Sequence, residues 1–266
     1  MRSLFLLFAA ATLGAQDAKE IILKSVEIDQ VSWARAKDYA WTRRVQTHDA
    51  AKNKNETTTF ESIVLYGHPY SRLVARNDRP LSPAEQKKQQ ESLDKAAAGS
   101  QHESTAKQAD REKAHQRARE FTRRIPEIYD FKIEGEDALD GRPVWVISAV
   151  PKPGYKPAGR NEQALQKFRG KLWIDKAEYQ WVRVEAEIFE PVTWGLFLVK
   201  LNPGSHILLE QTRVNNEVWL PSHQAIRATA RLMFKHLDLD QDVTFSNYRK
   251  FQADSKVVGT AEPWHQ

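Results

Sequence analysis

"FRGKLWIDKAEYQWVRVEAEI", from Phe168 to Ile188, decides how this chain is read. Hydrophobic and charged residues change places almost residue by residue along two runs joined by a short polar turn. Successive side chains leave a β-strand on opposite sides, so this alternation describes strands with one buried and one wet face. In the second run Val182, Val184, Ala186 and Ile188 share the apolar side, while Trp181, Arg183, Glu185 and Glu187 share the other. Such a hairpin builds a wall, and any chemistry must come from what the rest of the chain sets against it.

Outward from this hairpin the pattern repeats. Arg142 to Val150 reads as a strand, closed by the proline-rich loop "PKPGYKPAGRNEQ". After it, "LFLVKLNPGSHILLEQTRVNNEVWLPSH" gives two strands with a turn at Asn215 and Asn216. Gln224 to Phe234 alternates again, with Ile226, Ala228, Ala230, Leu232 and Phe234 on one side, and Val243 to Phe251 closes the series. Towards the N-terminus, "YAWTRRVQTH", "TTTFESIVLYG" and "YSRLVAR" are rich in Thr, Val and aromatic residues, and tight spacing favours an antiparallel meander. About nine to eleven strands predict a mainly β, α+β fold: one curved antiparallel sheet or half-open β-barrel with covering helices.

Two segments are helical in pattern. Asp17 and Glu20 have cap-and-box spacing ahead of an amphipathic face of Ile21, Ile22 and Val26. Between about 80 and 125 the composition changes. "SPAE" at Ser82 to Glu85 is a capping box with proline at the first helical position, and Gly99 is the expected stop. A second helix is expected from about Ser104 to Arg124, docking through Ala114, Ala118, Phe121 and Ile125. This inserted helical hairpin holds eleven Lys/Arg against seven Asp/Glu between Arg79 and Ile125. It therefore carries about +4 of the chain's net +5, which leaves the remainder nearly neutral and gives no general nucleic-acid footprint.

The start of the chain reads as a secretory signal over residues 1–15: Arg2, the apolar "LFLLFAAATL", and small residues near Ala15. The mature part, 16–266, is expected to be one domain with the hairpin insertion, soluble and periplasmic. Gln16 stands where a lipid-bearing cysteine would be needed, and the chain has no cysteine at all. Disulfides, thiol catalysis and thiolate metal sites are thereby excluded.

The signal, first helix, early hairpin, "LWIDKAEYQWVRVEAEI" and the turn followed by "VWLP" resemble the periplasmic outer-membrane lipoprotein-sorting superfamily, the LolA-like and LolB-like proteins with relatives among anti-sigma regulators. That resemblance implies a half-open barrel lidded by helices, holding acyl chains on its concave face. The long insert departs from the compact carriers, and no position here is assigned the carriers' functional arginine.

Candidate concave-face ligand residues are Val182, Val184, Ile188, Ile226, Leu232 and Phe234, each also readable, and taken singly more readily, as packed core. Trp173 and Trp219 could form an aromatic rim, since indole favours a half-wet boundary, though their spacing also suits cross-strand packing. The expected function is carriage or sensing of a lipid or acylated protein by a monomer, with transient membrane-surface contact. The alternative is an envelope protein-interaction module that uses the basic hairpin and has a filled sheet. No enzyme, cofactor or metal reading has support: eight histidines show no ligand spacing. "HLDLDQD" from His236 to Asp242 lacks the glycine and terminal glutamate of a calcium loop and reads as a solvated turn.

Overall fold

The computed structural model describes residues 17–50, 53–65, 68–101, 104–194, 199–232 and 235–250. The signal-like stretch at 1–15 and Phe234 lie outside these residues. In chain order the elements are α1 Ala18–Ala36, β1 Tyr39–Asp49, β2 Lys54–Leu65, β3 His68–Arg76, β4 Arg79–Pro80, α2 Pro83–Gln101 and α3 Thr105–Ile128. Then follow β5 Tyr129–Leu139, β6 Arg142–Pro151, α4 Arg160–Leu165, β7 Phe168–Asp175, β8 Trp181–Ile188, β9 Val192–Trp194 and β10 Val199–Leu201. The series ends with β11 Ser205–Val214, β12 Val218–Leu232 and β13 Lys235–Lys250.

All thirteen described strands belong to one antiparallel sheet, ordered β4-β3-β2-β1-β13-β12-β11-β8-β7-β6-β5, with β9 and β10 off this path. The sheet ends at β4 and β5 and does not close into a barrel. It holds more strands than the sequence patterns suggest because β4, β9 and β10 are two or three residues long, too short to display alternation. The β11–β12 hairpin turns at Asn215 and Asn216, both with positive φ (50° and 55°), the left-handed region that asparagine tolerates better than most residues.

The helix starts follow their capping residues. Asp17 accepts from Lys19 N at 3.1 Å, Ser82 and Glu85 form a reciprocal box, and Ser104 accepts from Lys107 N at 3.4 Å. Two boundaries differ from the sequence expectation. Gly99 lies inside α2, since a glycine on an exposed helix costs only about 1 kcal/mol and need not end it. Helix α3 runs on to Ile128, and it docks through the half-buried Phe121 and Ile125 while Ala114 and Ala118 stay exposed.

The stretch His236 to Asp242 is a correction: it is part of β13 rather than a turn. Asp238, Asp240 and Asp242 sit opposite Thr229, Arg227 and Ala225 of β12, and Asp240 and Asp242 are balanced by Arg227 and His223. Among the described residues no group of three or more His, Asp or Glu side chains could hold a metal ion.

A second correction concerns the faces of β8. Trp173 pairs with Arg183 but Ile174 pairs with Trp181, so Val182 is the extra residue of a β-bulge. The bulge reverses the alternation. Trp181 joins the core beside Ile21, Ile22, Ile147 and Ile174, under α1, whereas Val182 packs on the other side with Val144 and Trp219. The second face is therefore not simply wet, because it carries its own small apolar cluster.

Candidate ligand-binding site

Helices α1 and α3 cross the same face of the sheet, and α1 packs against α3, β5 and β12. Beneath them two cross-strand rows run side by side. One is Ile133, Ile147, Leu172, Val184 and Leu209; the next is Phe131, Ala149, Gly170, Ala186 and Ile207. Three consecutive small residues in the second row leave a trough that the helices span without filling.

The result is a cavity of about 290 Å³. Its roof is Ile22, Ser25, Val26 and Asp29 of α1 with Thr122 and Ile125 of α3, and its floor includes Phe131, Leu172, Trp181, Val184, Ala186 and Leu209. Tyr129, Leu165 and Phe168 complete the wall. This is near the lower end of the usual size of ligand pockets.

Glycine at 170 is a geometric requirement. A Cβ there would lie 2.0 Å from the Glu185 carbonyl oxygen of β8, far inside contact distance. One edge of the cavity is fixed by α4, whose buried Glu162 accepts from Ala158 N at 2.6 Å and from the Tyr155 hydroxyl at 3.0 Å. Arg124 of α3 reaches the same carboxylate at 3.0 Å, tying α3 to α4 beside Ile125 and Leu165. The Tyr129 hydroxyl donates to Leu165 O at 2.5 Å, and burial pushes its pKa well up, which keeps it a neutral donor.

Polar groups are few and gathered on the helices. Asp29 Oδ1 accepts from Trp181 Nε1 at 2.6 Å and from Gln180 Nε2 at 3.0 Å. The same Gln180 amide, fully buried, also donates to Gln211 Oε1 at 3.0 Å. Arg169, Lys171 and Glu185 border the cavity from strands whose alternation sends their side chains to the other face, where Arg169 pairs with Glu187 and Glu185 with Arg183.

Solved lipoprotein-sorting structures are similar to this chain. A domain assigned to outer-membrane lipoprotein sorting from Vibrio parahaemolyticus matches with 12% identity and a TM-score of 0.37, over 89% of this chain and 95% of that one. A DUF1329 family protein from Desulfovibrio piger matches with 11% identity and a TM-score of 0.37, over 90% and 96%. A LolA superfamily protein from Nitrosomonas europaea matches with 8% identity and a TM-score of 0.34, over 92% and 99%. No protein-family model and no curated protein matches the sequence. With TM-scores of 0.37 and below, it is the cavity's own residues, not these likenesses, that bear on function.

The structure separates the residues that alternation grouped. Val184 lines the cavity, whereas Val182 lies on the opposite face. Ile188 is fully buried two positions beyond Ala186, and Ile226 stands opposite Ile207 on β12, so neither is in the cavity wall. Leu232 pairs with Val199 near the end of β12, and its side chain, like that of Trp194, lies outside the described set.

Trp173 and Trp219 pack together around Val144 and Val182 on the face away from the cavity. Trp219 donates to Glu178 at 3.1 Å and lies under the Arg142 guanidinium, and Arg183 covers Trp173 at 5.1 Å. The wall residues that sequence reasoning missed include Trp181, Leu172, Leu209, Ile125 and Leu165. The alternation Phe168, Gly170, Leu172 carried a signal for the first strand of the floor; the bulge concealed Trp181.

Proposed function

We propose that this chain is an exported periplasmic protein that holds a lipid, or the acyl chain of a lipidated protein, between α1, α3 and the sheet, as a carrier or sensor. The observation that carries this reading is the cavity itself, walled almost wholly by hydrocarbon. A void of this lining stays dry and accepts apolar guests, and each buried CH₂ contributes roughly 0.8 kcal/mol. In this role the chain acts as a non-catalytic monomer. Among the described residues no helix is long and apolar enough to cross a membrane.

A second reading has one observation in its favour. The 19-residue α2 buries only Leu93, so most of its surface is free to meet an envelope protein or to touch a membrane surface transiently. In that reading the cavity is incidental.

Titration of delipidated protein with the neutral fluorophore N-phenyl-1-naphthylamine tests the choice. One saturable site, lost in Leu209→Trp while the fold is kept, supports ligand binding. Absence of saturable binding to the wild-type protein returns the weight to the helical hairpin.

A further inference from the structure

The cavity is apolar on the sheet side and carries one acidic side chain on the helix side. Asp29 enters the wall from α1, which also contributes Ser25 while α3 contributes Thr122, and its Oδ1 is bound by the Trp181 indole and the Gln180 amide. The three charged residues that border the cavity from β7 and β8 place their side chains across the sheet. A ligand in the trough thus meets a carboxylate with no basic side chain of the floor strands beside it.

We propose that Asp29 makes the site selective by head group, accepting chains that end in a neutral or cationic hydrogen-bond donor, an alcohol or an amine, and rejecting chains that end in a free carboxylate. This rests on the reading of the cavity as a ligand site. Placing like charges together in a desolvated site is strongly unfavourable, whereas an ammonium or hydroxyl donates to the same oxygens. Asp29 also anchors Trp181 through a bond that an asparagine Oδ1 could equally accept. Asp29→Asn therefore removes the charge and keeps the anchor.

The test compares dodecanol, dodecylamine, dodecanoate and methyl dodecanoate below their micellar concentrations, by displacement of N-phenyl-1-naphthylamine at neutral pH. The expected result is that the amine and alcohol bind tightest, the ester, which has no donor, binds through its chain alone, and dodecanoate binds weaker than the ester by on the order of tenfold or more. In D29N the dodecanoate gap closes and the advantage of the amine is lost. In wild-type protein alone, tighter binding of the amine than of the ester runs against the desolvation cost of a charged head group and so reports the Asp29 carboxylate even if the variant is unstable. An amine no tighter than the ester overturns the inference. Dodecanoate binding as tightly as its ester, or a gap that persists in folded D29N, overturns the inference but leaves the cavity reading intact. If the alcohol and ester themselves fail to bind, the cavity reading falls and this inference with it.

Discussion

Val182 and Val184 stand two positions apart on β8 and face opposite sides of the sheet. Regular pleating would put them together; the bulge between them sends Val182 to the Trp219 cluster and leaves Val184 in the cavity floor. Their substitutions should therefore separate. Val182→Ala, which strips two methyl groups from a packed site, is expected to cost about 2 kcal/mol in urea unfolding without changing ligand affinity. Val184→Trp should fill the trough and abolish binding with a much smaller stability change. Equal effects of the two on binding would contradict this placement.

Gly170→Ala should be among the most disruptive single-methyl changes in the protein. The added carbon meets backbone rather than a movable side chain, so β7 and β8 must part. A loss of about 2–3 kcal/mol is expected, with weakened probe binding because the same strands form the floor. Thermal unfolding at wild-type level would show that the strands are less closely held than described.

Arg142 binds the fully buried Asp175 carboxylate through Nε at 2.6 Å and Nη2 at 3.0 Å, and also reaches Glu178. Asp175 keeps two backbone donors, Ala177 N and Glu178 N, when the arginine is lost. Arg142→Met should accordingly destabilise by about 2–4 kcal/mol, near the lower part of the range for breaking a buried pair. Arg142→Lys, a point charge in place of a fork, should recover only part. Denaturant midpoints at constant slope read both.

His223 lies between Glu210 and Asp242, with ring nitrogens 3.0 and 2.8 Å from their carboxylates. Burial lowers its pKa, but the bonds to Asp242 and then Glu210 outweigh it, and the net shift is upward from 6.5. A pKa raised by folding means stability that is complete below the unfolded value and is lost as pH rises through the folded value. Melting temperature should therefore fall as pH is raised from 6 through the folded pKa, and His223→Gln should flatten that slope. A wild-type slope of the opposite sign, or one unchanged in the variant, would contradict the assignment.

The architecture was legible in the sequence wherever alternation was long and uninterrupted. The Phe168–Ile188 hairpin, the Asn215–Asn216 turn and the Asp17, Ser82 and Ser104 helix starts are encoded within a few residues of where they act. What was hidden depended on pairing between distant segments. The bulge at Val182 is a register property of β7 against β8, so no count of apolar positions along β8 alone could reveal that Trp181 is inside. The aspartates of β13 looked like a turn because their balancing partners, Arg227 and His223, lie on another strand. The cavity arises from Ala149, Gly170 and Ala186 standing abreast on three strands, a coincidence that none of the three runs shows by itself. Helix α4 escaped because six residues in a proline-rich loop carry almost no periodic signal.

The central claim, that the space under α1 and α3 is a ligand site, is met most directly by native mass spectrometry of protein purified gently from cells that express it. The account predicts one lipid or acyl-bearing molecule per chain, retained by the wild-type protein and missing from Val184→Trp purified in the same way. A wild-type chain that carries nothing, and takes up nothing when offered lipids extracted from the same cells, would contradict it.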